Sequence, residues 1–596
     1  MTKEEALKKY FGYDAFRPGQ GEIIDNTISG GDSLVLMPTG GGKSLCFQIP
    51  ALLMEGTAIV VSPLIALMKD QVEALRENGV AAEFLNSSLD DAESGRVIGD
   101  LREGVLRLLY VSPERLLMPG FQALLSSVRV SLFAIDEAHC ISSWGHDFRP
   151  EYAKLGVLRK KYSGIPIIAL TATADNVIRR DILLQLGIPD AMVHTASFDR
   201  PNLSLSVRSG RKRIEQILEF LKGRKNAPGI IYCLSRKSAE SVARRLSEKG
   251  YAARCYHAGL SAEQRDKAQN AFLHDDIQII CATVAFGMGI DKSNIRWIIH
   301  YNLPKNIESF YQEIGRAGRD GAPADTVLFY SYGDVITHND MILDSDDGRR
   351  ELLTAKLERM RQYAESDICR RRILLSYFNE YPDSDCGNCD TCRNPPERFD
   401  ATVECQKILS VVARTGEKTG LYDIIDILRG SQNRRLAEKG FNAIKTFGAG
   451  KDHSSDEWSD YVFQMLNSGF VDIAYDDNHT FKLNPVSVKI LKGEHPVRLT
   501  KFVPFKEKEL PEIEHGKVSL KVKPDQDLLD RLKTLRKKIA DDKGVPAYII
   551  FSDRTLSEMA AYVPQTSAEL RRISGVGEYK LEEYGAAFLE EITGTS

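Results

Sequence analysis

Apolar and polar positions along this chain keep one rhythm up to about residue 334 and change it near residue 345. In the first stretch, short apolar runs alternate with amphipathic segments; the runs are 33–36, 57–61, 106–111, 132–135, 165–170, 229–233, 277–281 and 297–300. Runs this short and this apolar fit strands, and their alternation with helix-like segments predicts parallel sheets covered by helices. Roughly 300 residues exceed one such sheet, so two α/β lobes are expected. The break falls near 197–202, where Phe198-Asp199-Arg200-Pro201-Asn202 reads as a turn into a linker. Residues 345–380 read as one continuous helix, with Leu352, Leu353, Leu357, Met360 and Tyr363 at helical spacing. Residues 401–505 read as a compact α/β segment. Residues 496–524 carry seven Lys/Arg against four Asp/Glu and read as an extended linker, and 525–596 reads as helical. No internal repeat or low-complexity segment interrupts this pattern.

Composition narrows the class. At 596 residues the chain exceeds one core, and length alone gives about four domains. A hydrophobic content of 43% with 27% charged residues is ordinary for a soluble globular protein. The apolar runs are far shorter than a membrane span, and the opening MTKEEALKKYFGY has charges where a signal peptide needs apolar residues. A cytoplasmic protein without membrane contact is expected. The net charge of −4 gives no global basic field, so a nucleic acid would be held by local patches. Of ten cysteines, Cys46, Cys140, Cys233, Cys255, Cys281 and Cys405 are scattered and read as reduced core residues.

The chemistry begins after the first apolar run. Met37-Pro38-Thr39-Gly40-Gly41-Gly42-Lys43-Ser44 lies between a strand-like and a helix-like stretch, the layout of a phosphate-binding loop. Gly40, Gly41 and Gly42 let backbone N–H groups curl round an anion, and the helix N-terminus adds positive dipole. Lys43 would reach the β- and γ-phosphates, and Ser44 would ligate Mg²⁺. A plain glycine-rich turn is the alternative, and Met37 departs from the glycine of the strict pattern. Further on, 132–135 runs into Asp136-Glu137-Ala138-His139. A carboxylate ending a buried strand is where a phosphate-loop enzyme holds its metal, which points to Asp136 for Mg²⁺ and Glu137 for orienting or deprotonating water. Arg316 and Arg319 stand three apart, one helical turn. Across a cleft from Lys43 they would serve as arginine fingers; taken alone they read better as a solvated basic face.

In chain order the segments FRPGQ, TGGGKS, DEAH, TAT, ATVAFGMGID and QEIGRAGRD resemble the motif set of superfamily 2 helicases. The stretch AHCISSWGHDFRPEY (138–152) narrows the resemblance to the RecQ DNA helicases, and the likeness runs nearly the whole chain. It implies two RecA-like parallel-sheet lobes (1–200 and 201–340), a zinc-binding helical module (341–400), a winged helix (401–505), a linker (506–524) and a small all-α HRDC domain (525–596). It implies ATP as the nucleotide, with Tyr13 stacked on adenine, Arg17 and Gln20 reading its edge and the phosphates, and Thr39 in the loop. Gln312 joins Lys43, Asp136, Glu137, Arg316 and Arg319 in the catalytic set. In this family a non-glycine is tolerated where Met37 stands.

Trp144, His146, Phe148 and Arg149 lie beside Gly145 and Pro150 in a stretch that is not regular helix. Bulky aromatics there are either core anchors or stacking platforms for unpaired bases, and the second reading is preferred. By the resemblance this loop couples single-strand binding to ATP hydrolysis. Cys369, Cys386, Cys389 and Cys392, spaced x16, x2 and x2, fit a closed tetrahedral Zn²⁺ site, with an iron–sulfur cluster as the rival. Arg370, Arg371 and Arg372 read equally as phosphate contacts or a solvated face. In 401–505, Asn433, Arg434, Arg435, Lys439, Lys445 and Lys451 are candidate phosphate contacts. Residues 475–483 read as a hairpin whose tip, with His479, is either a strand-separating pin or plain structure. In the C-terminal module Lys533, Arg536, Lys537 and Lys538 cluster on the first helix, and Ile573-Ser574-Gly575-Val576-Gly577 is similar to a turn that presents N–H groups to phosphate.

The resemblance thus implies an ATP-dependent, DNA-stimulated 3'-to-5' helicase using Mg²⁺ and Zn²⁺. Its expected partners are single-stranded and duplex DNA, including forks and junctions, together with single-strand-binding protein and other repair factors. A monomer at the nucleoid, working in recombination, repair, replication and the SOS response, is expected. A translocase that does not separate strands, a scaffold with a relict ATP site, and an RNA substrate remain as alternatives.

Overall fold

The computed structural model describes residues 1–594 apart from 87–88, 143–148, 173–175, 225, 287–291, 345–346, 475–479 and 504–523. The first lobe is built on β1 (Ser33–Leu36), β2 (Thr57–Val61), β3 (Ala82–Leu85), β4 (Leu108–Val111), β5 (Val130–Ile135), β6 (Ile167–Thr171) and β7 (Met192–Thr195). Their order is β3-β4-β2-β5-β6-β1-β7, and every neighbouring pair is parallel. Strands β1, β2, β4 and β6 are buried at every position. Helices cover both faces, which is why these strands read as unbroken apolar runs.

The second lobe carries β8 (Leu203–Ser209), β9 (Gly229–Tyr232), β10 (Ala253–Tyr256), β11 (Ile279–Ala282), β12 (Trp297–His300) and β13 (Ala324–Tyr330) in the order β10-β11-β9-β12-β13-β8, again all parallel. Five strands have no counterpart among the apolar runs: β3, β7, β8, β10 and β13. Four of these lie at sheet edges, where one flank is wet and the sequence need not be apolar. The fifth, β13, is masked by Asp325 and Thr326, which bond to Ser204 on β8.

The expected continuous helix over 345–380 is two helices, Asp347–Glu365 and Arg370–Tyr377. Between them the Ile368 N–H donates to the Ser366 hydroxyl at 3.2 Å. This turn swings Cys369, which caps the second helix, towards the other three cysteines. Three helices, Thr402–Arg414, Leu421–Arg429 and Ser455–Asn467, then enclose a core centred on Ile408, Trp458 and Met465. Strands Asp472–Ala474 and Thr480–Lys482 pair antiparallel, the first lying before the segment 475–483 expected as a hairpin; residues 475–479, His479 among them, lie outside the described residues. The expected linker 506–524 lies outside them too, except for Pro524. The C-terminal module is all-α, from Gln526–Lys543 to Glu578–Thr593. No described helix is long and apolar enough to cross a membrane.

Candidate functional site

The glycine loop leaves the C-terminal end of β1, the edge where parallel sheets collect ligands. Gly40 and Gly42 have φ of +76° and +87°, a backbone that disfavours any side chain. A Cβ on Gly42 would also lie 2.5 Å from the Gln20 amide nitrogen. Met37 is 1% exposed and belongs to the core, so its irregular position costs the loop nothing. Lys43 Nζ donates to the Met37 carbonyl at 3.0 Å, folded back over the loop. Burial pulls its ammonium below the usual range against Glu137 and Asp136, with Arg319 and Arg200 pulling the same way as burial.

Gln20 and Arg17 touch the loop directly. Gln20 Nε2 donates to the Gly42 carbonyl at 3.0 Å, its Oε1 accepts from the Arg17 N–H at 2.8 Å, and Arg17 Nη1 donates to the Gly40 carbonyl at 2.5 Å. Both ends of the Gln20 amide are therefore engaged here, and reading a base edge requires these bonds to exchange. Tyr13 is 43% exposed and open to stacking.

Asp136 and Glu137 follow β5. Asp136 is 8% exposed and its N–H is tied to the Val61 carbonyl at 2.9 Å. Glu137 has φ +48° and ψ +45°, a left-handed conformation uncommon for a residue other than glycine. Its N–H donates to Asp136 Oδ1 at 2.9 Å. Behind it, His139 Nδ1 lies 3.0 Å from the Thr171 hydroxyl at the end of β6 and 3.3 Å from the Glu137 carboxylate. Burial, reinforced by Lys43 and Arg149, pushes the His139 imidazole down to about 3, so it is neutral.

The second lobe delivers the arginines differently from the expectation. The helix Ile307–Ile314, which carries the half-buried Gln312, ends at Gly315. Arg316 and Arg319 thus sit in a turn and not on one helix face; Gly318, at φ +55°, lies within it. Arg316 is 7% exposed and acts on the buried Tyr232 phenol, which burial pushes up to about 12. Arg319 faces the first lobe: a Cβ on Gly40 would lie 3.4 Å from the Arg319 Cα.

Sequence reasoning passed over three groups at this site. Gln71 Nε2 approaches the Ser44 hydroxyl at 3.5 Å while its Oε1 accepts from Tyr110. His139 links the acidic pair to β6. Arg200, read only as part of a linker, places its guanidinium between the lobes; the lone signal was a basic residue before proline at an interlobe joint.

The four cysteines come together, every Sγ within 4.8 Å of the others. A tetrahedron of ~2.3 Å Zn–S bonds has edges of roughly 3.8 Å; Cys386–Cys392 and Cys369–Cys389 stand at 3.9 and 4.0 Å. The donor set fits zinc with no open position. Arg370 and Arg371 are neither phosphate contacts nor a solvated face: Arg370 pairs with Asp390 at 3.0 Å and Arg371 with Asp199 at 2.6 Å, both nearly buried.

Of the candidate DNA contacts, Trp144, His146 and Phe148 lie outside the described residues. Arg149 donates to the Pro63 carbonyl at 2.9 Å, within the first lobe. Arg434 remains 92% exposed beside Glu438, while Arg435 is drawn to Asp423. Arg536 is a correction: it is buried, donates to the Phe551 carbonyl at 2.7 Å and pairs with Asp553 at 2.8 Å, so it braces its own module. Lys533 is half-buried on the same helix.

The turn at 573–577 is likewise occupied. The Gly575 N–H donates to the Gly12 carbonyl at 3.1 Å, and Lys8 Nζ to the Arg571 carbonyl at 2.9 Å. Tyr584 donates to Glu77. On the second lobe, Lys537 reaches the His274 carbonyl at 3.4 Å and Asp276 at 3.7 Å. The C-terminal module therefore rests on both lobes, next to Tyr13.

Two parallel-sheet lobes meeting over a phosphate loop and an acidic strand end define a helicase-type motor core. Family models match accordingly: DEAD/DEAH box helicase over 17–180, helicase conserved C-terminal domain over 212–321, RecQ zinc-binding over 332–393, RQC domain over 395–508 and HRDC domain over 525–592. The chain is 45% identical to the ATP-dependent DNA helicase RecQ of Pasteurella multocida, over 99% of this chain and 94% of that protein. It is 44% identical to the Haemophilus influenzae protein of the same name (99% and 95%) and 39% identical to that of Bacillus subtilis (99% and 98%). The chain belongs to the RecQ family and is an ATP-dependent DNA helicase.

Proposed function

We propose that this helicase moves 3'-to-5' along one DNA strand, separates duplexes at forks and junctions, and acts in recombination, repair and replication-fork processing. The observation that carries the reading is the approach of Arg319 to Gly40, which sets a second-lobe cation against the phosphate loop. Lys43 and the loop N–H groups hold the β- and γ-phosphates, and Tyr13, Arg17 and Gln20 hold the base side. Ser44 and Asp136 would hold Mg²⁺, which would supply neutralisation of phosphate charge. Glu137 orients and deprotonates the attacking water, Arg319 offsets charge on the transferring group, and Arg316 and Gln312 stand behind it. ATP closes the lobes and hydrolysis reopens them. Trp144, His146, Phe148 and Arg149 report strand occupancy to the neighbouring Asp136-Glu137. Arg434, Arg435, His479 and Lys533 contact DNA from the C-terminal modules. The protein works as a cytoplasmic monomer at the nucleoid, with single-strand-binding protein among its partners.

Two measurements test this. Partial duplexes with only a 3' or only a 5' single-stranded tail should be unwound from the 3' tail alone; equal unwinding from both discards the polarity. Lys43→Ala should abolish unwinding while DNA binding persists, and loss of both together counts against its assignment to the phosphates. For the aromatic loop, Trp144→Ala should blunt stimulation of ATP turnover by single-stranded DNA.

A further inference from the structure

The connector between the lobes, residues 197–203, is held from two sides. The zinc-binding module grips one side. Arg371 pairs with Asp199 at 2.6 Å and donates to the Leu203 carbonyl at 2.5 Å. Glu380 accepts from the Ser197 hydroxyl at 2.5 Å and the Phe198 N–H at 2.8 Å. The Phe198 ring stacks on Phe378, centroids 4.5 Å apart and planes 11° from parallel. On the other side Arg200 reaches into the interlobe cleft. Its Nη1 donates to the Thr39 carbonyl of the phosphate loop and to the Gly315 carbonyl at 3.1 Å. Its Nη2 donates to the Ala317 and Gly318 carbonyls, each at 2.9 Å. Asn202 adds bonds to the Gly318 carbonyl at 3.0 Å and the Ala322 carbonyl at 2.9 Å.

One planar fork thus joins a carbonyl of the first lobe to three carbonyls of the turn that carries Arg316 and Arg319. Only a guanidinium offers enough donors in fixed geometry for this; a lysine is a point charge on a flexible stem. We propose that Arg200 is a positioning residue for ATP turnover, fixing the 315–319 turn against the phosphate loop, and that the zinc module sets its reach by holding Asp199. The role explains why the module is fastened to the connector and not only to the second lobe. The guanidinium's hydrogen-bond acceptors are the backbone carbonyls of Thr39, Gly315, Ala317 and Gly318, so its charge stays in the cleft beside Lys43. Burial pulls it down to about 10, still protonated at neutral pH.

The proposal rests on Arg319 acting opposite the phosphates, so Arg319→Ala is measured in parallel. ATP turnover at saturating single-stranded DNA is compared for wild type, Arg200→Ala, Arg200→Lys, Asn202→Ala and Asp199→Ala, together with affinities for ADP and for ADP–aluminium fluoride. Arg200→Ala and Arg200→Lys should each lower kcat by roughly 10²-fold, the usual effect of a misplaced catalytic group. KM for ATP should stay near wild type, and the aluminium fluoride complex should weaken while ADP affinity holds. Asn202→Ala and Asp199→Ala should lower kcat in the same direction, several-fold, with bound zinc unchanged. Recovery of more than half of kcat in Arg200→Lys overturns the positioning role, as does equal weakening of ADP and the fluoride complex. Should Arg200→Ala fail to fold, the lysine and Asn202 variants decide alone. Unchanged turnover in Asp199→Ala overturns the link to the zinc module. If Arg319→Ala keeps full turnover, the finger assignment itself fails; if it loses turnover while both Arg200 variants keep it, only this inference fails.

Discussion

Glu137 concentrates the residue-scale argument. Its left-handed backbone carries a cost of order 1–2 kcal/mol, tolerated where surrounding structure over-determines it. The bond from its N–H to Asp136 and the approach of His139 to its carboxylate do that. Glu137→Gln keeps the shape and removes the proposed base, so ATP and DNA should still bind while turnover falls by about 10²–10⁴-fold in a steady-state assay. His139 makes a pH prediction. Its folded pKa, about 3, lies below the ordinary 6.5, so on acidification the unfolded chain takes up a proton that the folded chain refuses. Stability is therefore complete above about pH 6.5 and declines below it, by up to about 1.4 kcal/mol per pH unit from this group. Thermal midpoints between pH 4.5 and 7 should fall less steeply in His139→Gln than in wild type. The placement of Lys43 after β1, of Asp136 after β5 and of the four cysteines in one cluster was legible because each is set by local sequence. Arg536 was not, because a basic residue on an amphipathic helix reads as surface until Asp553 is seen to meet it.

At the scale of elements, the pattern of apolar runs missed the four edge strands and the interior β13, since a run reports burial on both faces, an edge strand has less of it, and Asp325 and Thr326 break the run in β13. The arginine turn shows the converse. Spacing alone suggested a helix face for Arg316 and Arg319, but Gly315 ends the helix and Gly318 bends the turn, so one arginine points into its own lobe and the other across the cleft. The zinc module was legible in its ligands and silent about its attachments, because nothing in the spacing of cysteines reports that Arg371 will meet Asp199. A closed site of four thiolates couples metal binding to folding. Cys386→Ser should therefore lower soluble yield and bound zinc together, with residual soluble protein showing a depressed melting temperature; normal yield with zinc lost would contradict a structural role for the metal.

At the scale of the molecule, the C-terminal module touches the first lobe through Gly575, Arg571 and Tyr584 and the second through Lys537. No sequence pattern announces such long-range pairings; most of them end on a backbone carbonyl, which any residue offers. Truncation before residue 525 should raise amide exchange in the helix Ile65–Arg76 and at Gly12, measured against the full chain. The docked turn also has a temporal consequence. It stands next to Tyr13, the residue proposed to stack on adenine, while Lys537 on the module's first helix ties the module to the second lobe. On the proposed role of Tyr13, a module docked there slows nucleotide exchange between cycles and leaves bond cleavage alone. Release of fluorescent ADP should accordingly quicken in the truncated chain, with the rate of bond cleavage in a single turnover unaltered.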